Sequence, residues 1–194
     1  MIPTLILETT NVAFKDTIIY DLLIALITGV LSCVLFFLAL RVFKPCIKTC
    51  NIICKEVDHD ENGTEIVKYY FKFINMTWAD IENVSINLLL LEDYINGSGK
   101  NFRGKELKLK RSEFKNIPGR GRRNKDIHNN CLQIRIEEDL ETIWDGKKEW
   151  MELQIDCTHS KSGRRLVHIQ KYTHPRKTIK NGSFDSGENF NVIE

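Results

Sequence analysis

The sequence lacks the common catalytic motifs of enzymes. It contains no G-x-S-x-G or H-E-x-x-H motif and no catalytic cysteine–histidine signature, and its one glycine-rich basic stretch does not have the G-x-x-x-x-G-K-[ST] spacing of a P-loop. An excess of either charge is missing too, with 28 Lys and Arg against 26 Asp and Glu. We therefore expect no catalytic residues, no cofactor and no enzymatic activity. The total charge argues neither for nor against a nucleic-acid partner, and none is expected.

Long apolar runs are almost absent, and the one exception is LLIALITGVLSCVLFFLAL at residues 22–40, nineteen residues without a charge. A helix needs about 20 apolar residues to cross the hydrocarbon core of a membrane. The preceding residues 1–21 contain a single basic residue, Lys15, whereas a secretory signal has a basic start and a small-residue cleavage site. The pattern predicts a short extracytoplasmic segment at residues 1–21 and a retained transmembrane helix at residues 22–43.

Basic residues follow the apolar run. Arg41, Lys44 and Lys48 come directly after it, and the positive-inside rule then places the N-terminus outside and the C-terminal domain in the cytoplasm. We expect a single-pass protein of the inner or plasma membrane. Within the run, Gly29 and Ser32 belong to a patch of small side chains where two helices could approach closely. This patch predicts a helix–helix contact and a homo-oligomer.

The paired C-x2-C spacings of zinc sites are missing. The basic juxtamembrane segment at residues 44–56, KPCIKTCNIICKE, instead spaces Cys46, Cys50 and Cys54 four residues apart, which favours one face of a short interfacial helix that starts near Pro45. Three interpretations stay open: an apolar stripe against lipid or protein, S-acylation, and metal binding, although no fourth ligand lies nearby and no metal is expected. In a reducing compartment the six cysteines should mostly be free thiols.

From residue 57 to residue 194 the apolar residues alternate with polar ones, which is the period of a β-strand. Turn clusters separate the alternating stretches, among them NGSGKNFRG at residues 96–104 and WDGKK at residues 144–148. The predicted strands lie near residues 67–73, 84–90, 107–109, 132–136, 151–157 and 166–170. Short strands without helices between them are typical of an all-β domain, here an antiparallel β-sandwich or barrel that follows one N-terminal transmembrane helix.

Two stretches resemble a known family. KYYFKFINMTWADIENVSINLLLL (residues 68–91) is similar to the opening strand pair of the cytoplasmic immunoglobulin-like domain of inward-rectifier potassium channels, and residues 151–184 resemble its closing hairpin, with Ser162 and Gly163 at the turn and Tyr172 at the strand end. The chain has one span and no filter sequence, so it departs from the channel itself.

The resemblance implies an immunoglobulin-like sandwich directly below a membrane helix, which assembles subunits around an axis and binds regulators. By the same comparison, Arg41, Lys44 and Lys48 would contact lipid head groups, and Trp78 would face the membrane side. A potassium pore is not implied, because the residues that would build it are absent.

Candidate anion ligands lie in two basic stretches. GRGRRNKD at residues 119–126 combines glycine backbone N–H groups with Arg120, Arg122, Arg123 and Lys125, which suits phosphate. HSKSGRRLVHIQKYTH at residues 159–174 adds Arg164 and Arg165. The two stretches would form one basic face, with a solvated loop and a plain surface hairpin as the alternatives. The three histidines of the second stretch need not converge, so we expect no metal site there.

The layout is similar to that of membrane effectors of bacterial anti-phage signalling systems, which pair one or a few spans with a compact β-rich sensor. This likeness implies a cytosolic sandwich that senses a cyclic nucleotide or another anionic small ligand and controls oligomerisation and membrane perturbation. A membrane-anchored adaptor that binds a protein partner and an accessory ion-channel subunit are the alternatives.

Overall fold

The computed structural model describes residues 4–59, 63–97, 99–120 and 129–193. The chain divides into two compact units, Met1–Phe43 and Lys44–Glu194. The first is an apolar helix and the second is built mainly from antiparallel strands, so the predicted fold class is confirmed.

The first unit is one helix, α1 (Thr4–Val42). Its stretch Ile18–Leu40 is long and apolar enough to cross a membrane, and none of that stretch is buried within the structure. Residues 1–21 were expected to lie outside the membrane, and from Thr4 onward they belong to the same helix as the apolar stretch. Residues 4–21 contain no glycine or proline that would end a helix.

The second unit contains eleven strands and two helical turns among the described residues. In chain order they are β1 (Ile47–His59), β2 (Glu65–Asn75), β3 (Ile81–Asn96), β4 (Gly99–Leu107), β5 (Glu113–Ile117), β6 (Cys131–Ile136), α2 (Leu140–Ile143), β7 (Glu149–His159), β8 (Arg165–Tyr172), α3 (Pro175–Thr178), β9 (Ile179–Asn181), β10 (Ser183–Phe184) and β11 (Val192–Ile193).

Nine of the strands form two sheets that pack face to face, and β10 and β11 pair as a separate two-stranded sheet. One has the order β6-β2-β1-β9 and the other the order β4-β3-β7-β8, with β5 beside the start of β3. Neighbouring strands are antiparallel except for β9, which pairs with β1 in parallel. The core lies between the sheets and includes Phe71 and Phe73 from one sheet and Leu88 and Leu153 from the other. Each such side chain contributes about 1.5–3 kcal/mol through burial.

The juxtamembrane segment is a correction to the sequence analysis. Residues 47–56 form the first part of β1 rather than an interfacial helix or a separate segment. A shift in the register with β2 between Thr49 and Ile53 places Cys50 and Cys54 together on the side away from the main core, where Phe184 covers them. The segment is rich in β-branched residues, and it pairs with β2 on both sides of the register shift.

A second correction concerns residues 96–104, which were expected to be a loop. The turn is confined to residues around Gly97, and β4 runs back along β3 from Gly99. Gly104 allows this close pairing, since a Cβ there would lie 2.9 Å from Leu91 Cδ2. The hairpin between β7 and β8 agrees with expectation: its turn includes Ser162 and Gly163, and β8 ends at Tyr172.

Candidate functional site

One end of the sandwich is where the chain enters it from α1, and we call it the near end. It consists of residues 44–46, the loop at residues 76–80, residues 118–120 and the turn at residues 160–164. The Cys46 N–H donates to Thr77 Oγ1 (2.8 Å), and the Met76 N–H donates to the Cys46 carbonyl (2.8 Å). The first residues of the sandwich are therefore bonded directly to the β2–β3 loop.

The side chain of Asn75 connects several backbone segments of the near end through hydrogen bonds. Its side chain is fully buried, and its amide nitrogen donates to the carbonyls of Pro118 (2.9 Å), Ile117 (3.3 Å) and Ala79 (3.4 Å). Its Oδ1 accepts the Thr77 N–H at 3.0 Å. One side chain therefore satisfies backbone groups from two loops, which would otherwise be buried without partners.

Asp80 joins the two basic stretches. Its Oδ1 accepts the Gly119 N–H (3.1 Å), and its carbonyl accepts the Ser160 N–H (3.1 Å). β5 and β7 both flank the start of β3, since Ile81 pairs with Ile117 and with His159. The structure thus brings residues 118–120 and the turn at residues 160–164 to the same end of the sandwich.

Of the three arginines that were predicted to bind an anion and that the structure describes, two contact carboxylates. Arg120 Nε lies 2.8 Å from Glu188 Oε2. Arg165 Nε donates to both oxygens of Asp156 (2.7 and 2.9 Å), and this hydrogen bonding holds the pKa of the Asp156 carboxyl below its usual value. Arg164 is exposed on the turn. The other three predicted residues, Arg122, Arg123 and Lys125, lie outside the described residues.

The residues predicted to contact lipid are seen only in part. Lys44 and Lys48 are exposed, and the Lys48 ammonium lies 5.5 Å from the centre of the Phe190 ring. The side chain of Arg41 lies outside the described part of the chain. In α1, a Cβ on Gly29 would meet nothing within 4 Å, and Ser32 is exposed.

The three histidines of residues 159–174 lie apart. His159 is buried at the turn, and its Nδ1 accepts the Ser162 N–H at 3.1 Å. His168 points between the sheets, with Nε2 at 3.0 Å from Thr49 Oγ1, and His174 is exposed before α3. Burial lowers the pKa of both His159 and His168. Within the described ranges no three His, Cys, Asp or Glu residues are grouped so as to hold a metal ion.

A cleft at the opposite end of the sandwich, which we call the far-end cleft, was not anticipated. It has a volume of about 790 Å³ and lies between α2, the loop at residues 144–147, α3 and β9. β7 begins beside this cleft and ends at the near end, and its eleven residues extend about 33 Å at ~3.3 Å per residue. The two ends are therefore separate surfaces.

Basic side chains dominate the far-end cleft. Lys147, Arg176 and Lys177 line it and are exposed, and none of them forms an ion pair with a described residue. His174 adds a fourth nitrogen group, and Asp145 and Glu141, whose Oε2 lies 2.8 Å from Lys55 Nζ, also line the cleft. The arrangement can bind phosphate through the arginine fork and two ammonium groups while the carboxylates accept hydrogen bonds from ligand N–H or O–H groups.

Two contacts shape the floor of the far-end cleft. Gly146 has a positive φ of 69° and packs so closely on Pro175 that a Cβ would lie 2.2 Å from Pro175 Cδ. Trp144 is 2% exposed, and its Nε1 donates to the Glu149 carbonyl at 3.2 Å. The cleft was not predicted from the sequence, because the composition of WDGKK indicates only a turn. The available signal was the proline-led basic stretch at residues 174–180, HPRKTIK.

The outer surface of the second sheet carries a depression of about 1300 Å³, which is lined by both charged and apolar side chains. The rings of Phe102 and Trp150 meet edge to face at 5.6 Å, and the Lys171 ammonium lies 4.0 Å from the centre of the Trp150 ring. Phe102 and Ile95 are 63% and 81% exposed. Such a surface is suited to contact with another macromolecule rather than with a small ion.

The C-terminal segment covers a buried lysine. The Lys72 ammonium is 1% exposed and donates to the Asp185 carbonyl at 2.6 Å, and burial lowers its pKa. The thiols of Cys50 and Cys54 lie in the same region under Phe184. For these two cysteines the structure supports the interpretation as an apolar stripe against protein. Their burial leaves no access for S-acylation.

The fold and these surfaces define a class: a β-sandwich protein with one N-terminal helix that is long and apolar enough to cross a membrane. A scan against models of protein families finds no match to this chain, and a search of curated proteins finds none either. The resemblance to the channel domain stays a prediction.

Proposed function

We propose that the chain is a single-pass membrane effector whose sandwich, on the cytosolic side, binds an anionic small ligand in the far-end cleft. The observation that carries the proposal is the group of Lys147, Arg176 and Lys177 on one cleft, without ion pairs to described residues. Arg120 and Arg165, two of the residues first expected to bind the anion, have carboxylate partners instead.

The chemistry of the cleft favours a phosphate-bearing ligand of nucleotide size. A volume of about 790 Å³ falls within the usual ~300–1000 Å³ of small-molecule sites. Arg176 offers a planar pair of donors for phosphate oxygens, and the two lysines add positive charge. Glu141 and Asp145 favour a ligand that also carries N–H or O–H donors, as a ribose or a base does, over inorganic phosphate alone.

The proposed output is a change in helix association within the membrane. A ligand shifts an assembly equilibrium only by binding one state more tightly than the other. The stretch Ile18–Leu40 of α1 is apolar and unburied, and the space next to Gly29 is free of other atoms of the chain. The basic residues after the span, Lys44 and Lys48, favour the cytoplasm for the sandwich. A role in anti-phage defence rests on the likeness of layout and is part of the proposal.

Thermal unfolding of the full-length protein in detergent tests the ligand site. The probes are cyclic and linear nucleotides, phosphoinositide head groups and inorganic phosphate, each at about 100 times its Kd, where about 2.7 kcal/mol of stabilisation is expected. A double variant, Arg176→Gln with Lys177→Gln, should abolish the stabilisation. The matched control, Arg120→Gln with Arg164→Gln at the near end, should keep it.

The opposite pattern, in which only the near-end variant loses binding, contradicts the far-end assignment. A flat response to every probe from a cooperatively unfolding protein contradicts ligand sensing altogether.

The second candidate is a membrane-anchored adaptor, which the exposed apolar surface around Phe102 and Trp150 favours. An adaptor needs no change in permeability. Release of a fluorescent dye from vesicles that contain the full-length protein separates the two functions. Ligand-dependent release supports the effector, and a ligand that binds without release supports the adaptor.

A further inference from the structure

The tip of the β2–β3 loop carries the most exposed aromatic side chain of the sandwich. Trp78 is 82% exposed, whereas Trp144 is 2% exposed and Trp150 packs against Phe102. A single exposed apolar residue is common on a protein surface. Trp78 differs because hydrogen bonds and a close contact within the near end fix the backbone before and after it.

Four contacts fix that backbone. The Thr77 carbonyl accepts the Arg120 N–H at 2.8 Å, and Asn75 binds the Thr77 N–H and the Ala79 carbonyl. Gly119 lies against the loop so closely that a Cβ there would be 2.5 Å from the Ala79 carbonyl carbon. The indole is thus presented by an ordered loop, and little additional backbone entropy is lost when it inserts into a partner.

A short covalent connection links this loop's hydrogen-bond partner Cys46 to Phe43, the last residue of the first unit. Only Lys44 and Pro45 separate Phe43 from Cys46, so the peptide itself limits that separation to about 11 Å. Cys46 in turn exchanges hydrogen bonds with Thr77 and Met76, the residues just before Trp78. If α1 crosses a bilayer, the near end is tethered at the surface of that bilayer.

The charge of the near end suits an anionic lipid surface. Lys44, Lys161 and Arg164 are exposed there. The carboxylate of Asp80 accepts a hydrogen bond from the Gly119 N–H, and that of Glu188 forms an ion pair with Arg120. Tryptophan is enriched at the level of the lipid head groups, where its ring is half apolar and its N–H finds an acceptor. Basic side chains nearby are attracted by anionic lipids.

We propose that Trp78 inserts into the interfacial layer of the membrane that α1 crosses, with Lys44, Lys161 and Arg164 against anionic phospholipid head groups. The site fixes the near end of the sandwich to the bilayer. This inference rests on the membrane span of the proposed function but not on the ligand, and the two can fail separately.

Tryptophan fluorescence tests it directly, because the chain has three tryptophans and none of them lies in residues 1–43. The full-length protein is reconstituted in phosphatidylcholine vesicles, with and without phosphatidylglycerol, whose acyl chains carry bromine as a contact quencher. Trp144→Phe with Trp150→Phe leaves Trp78 as the only emitter, and Trp78→Phe with Trp144→Phe leaves Trp150. We expect bromine to reduce the emission of Trp78 strongly, more so with phosphatidylglycerol, and to leave Trp150 unchanged.

Trp144 is buried, so its replacement risks misfolding, and the single variant Trp78→Phe provides a second measurement. It keeps Trp144 and should lose the bromine-sensitive part of the wild-type emission. Emission from Trp78 that bromine does not reduce overturns the proposal, including the case in which the emission is shifted to short wavelength by a protein partner. A protein that does not float with the vesicles overturns both this inference and the membrane span.

Discussion

The structure of the near end depends on the buried side chain of Asn75. Its amide nitrogen donates to the carbonyl of Ala79, in the β2–β3 loop, and to those of Ile117 and Pro118, at the end of β5. Asn75→Asp keeps the shape but replaces that donor by an acceptor, so an unpaired carboxylate would face the carbonyl oxygens. We expect the free energy of unfolding to fall by about 3 kcal/mol, measured by denaturant unfolding of the full-length protein in detergent.

The matched control for Asn75 is Asn87→Asp, because Asn87 is exposed on β3. We expect that variant to change the free energy of unfolding by less than about 0.5 kcal/mol. Equal stability of Asn75→Asp and the wild type would mean that the near end does not depend on this amide.

Cys46, Cys50 and Cys54 are evenly spaced in the sequence, but their thiols should differ in reactivity. Cys46 is exposed, whereas burial raises the pKa of Cys54 to about 12 and of Cys157 to about 11. Only a thiolate reacts with iodoacetamide. At neutral pH we therefore expect Cys46 to be alkylated well before Cys50, Cys54 and Cys157, as mass spectrometry of the digested protein would show. Labelling of Cys50 or Cys54 at the rate of Cys46 would contradict the cover that Phe184 provides.

At the scale of elements, the β7–β8 hairpin depends on two histidines, the buried His159 at the turn and the half-buried His168 on the inward face of β8. Burial lowers the pKa of both. In the unfolded chain a histidine binds a proton at about pH 6.5, so below that pH the unfolded state holds more protons than the folded state. The contribution of both histidines to stability is full above about pH 6.5 and is lost as the pH falls through the folded pKa values.

A double variant, His159→Asn with His168→Gln, should therefore reduce the loss of thermal stability between neutral pH and pH ~5.5. His59→Gln, at an exposed position of β1, is the control and should leave the pH dependence as it is in the wild type. An unchanged pH dependence in the double variant would mean that carboxylates alone cause the acid sensitivity.

Three of the strands that the sequence predicted have one fully apolar face. β2, β3 and β7 each place alternate residues in the core, so the period alone identified them. β1 was missed because three cysteines at a spacing of four imitate a helical face, and β4 was missed because its glycines and polar residues are typical of turns. In both cases a neighbouring strand supplies the hydrogen bonds, which the local sequence does not encode.

The candidate surfaces, like the strands, could be predicted from the sequence only in part. Residues 118–120 and 160–164 come together because β5 and β7 flank the start of β3, and the basic composition of both stretches was visible in the sequence. Their carboxylate partners, Asp156 and Glu188, were not anticipated. The far-end cleft combines residues from α2, the loop before β7, and α3, and no short motif unites them.

At the scale of the whole molecule, α1 has an apolar surface that no described residue covers along Ile18–Leu40. A surface of this kind is stable in lipid or against other helices. Gly29 lies within it, and a Cβ there would meet nothing within 4 Å. A larger residue at this position is therefore harmless to the single chain, and any effect it has must arise between chains.

Gly29→Leu should weaken self-association if helices approach closely at the small residues Gly29 and Ser32. We expect the dissociation constant to rise about tenfold, or about 1.4 kcal/mol, by sedimentation equilibrium in detergent and by energy transfer between labelled chains in vesicles. Val34→Leu adds bulk to another face of the same helix and should leave association unchanged. If both variants associate like the wild type, the contact at Gly29 is excluded, and any assembly of the chain must be sought in the sandwich.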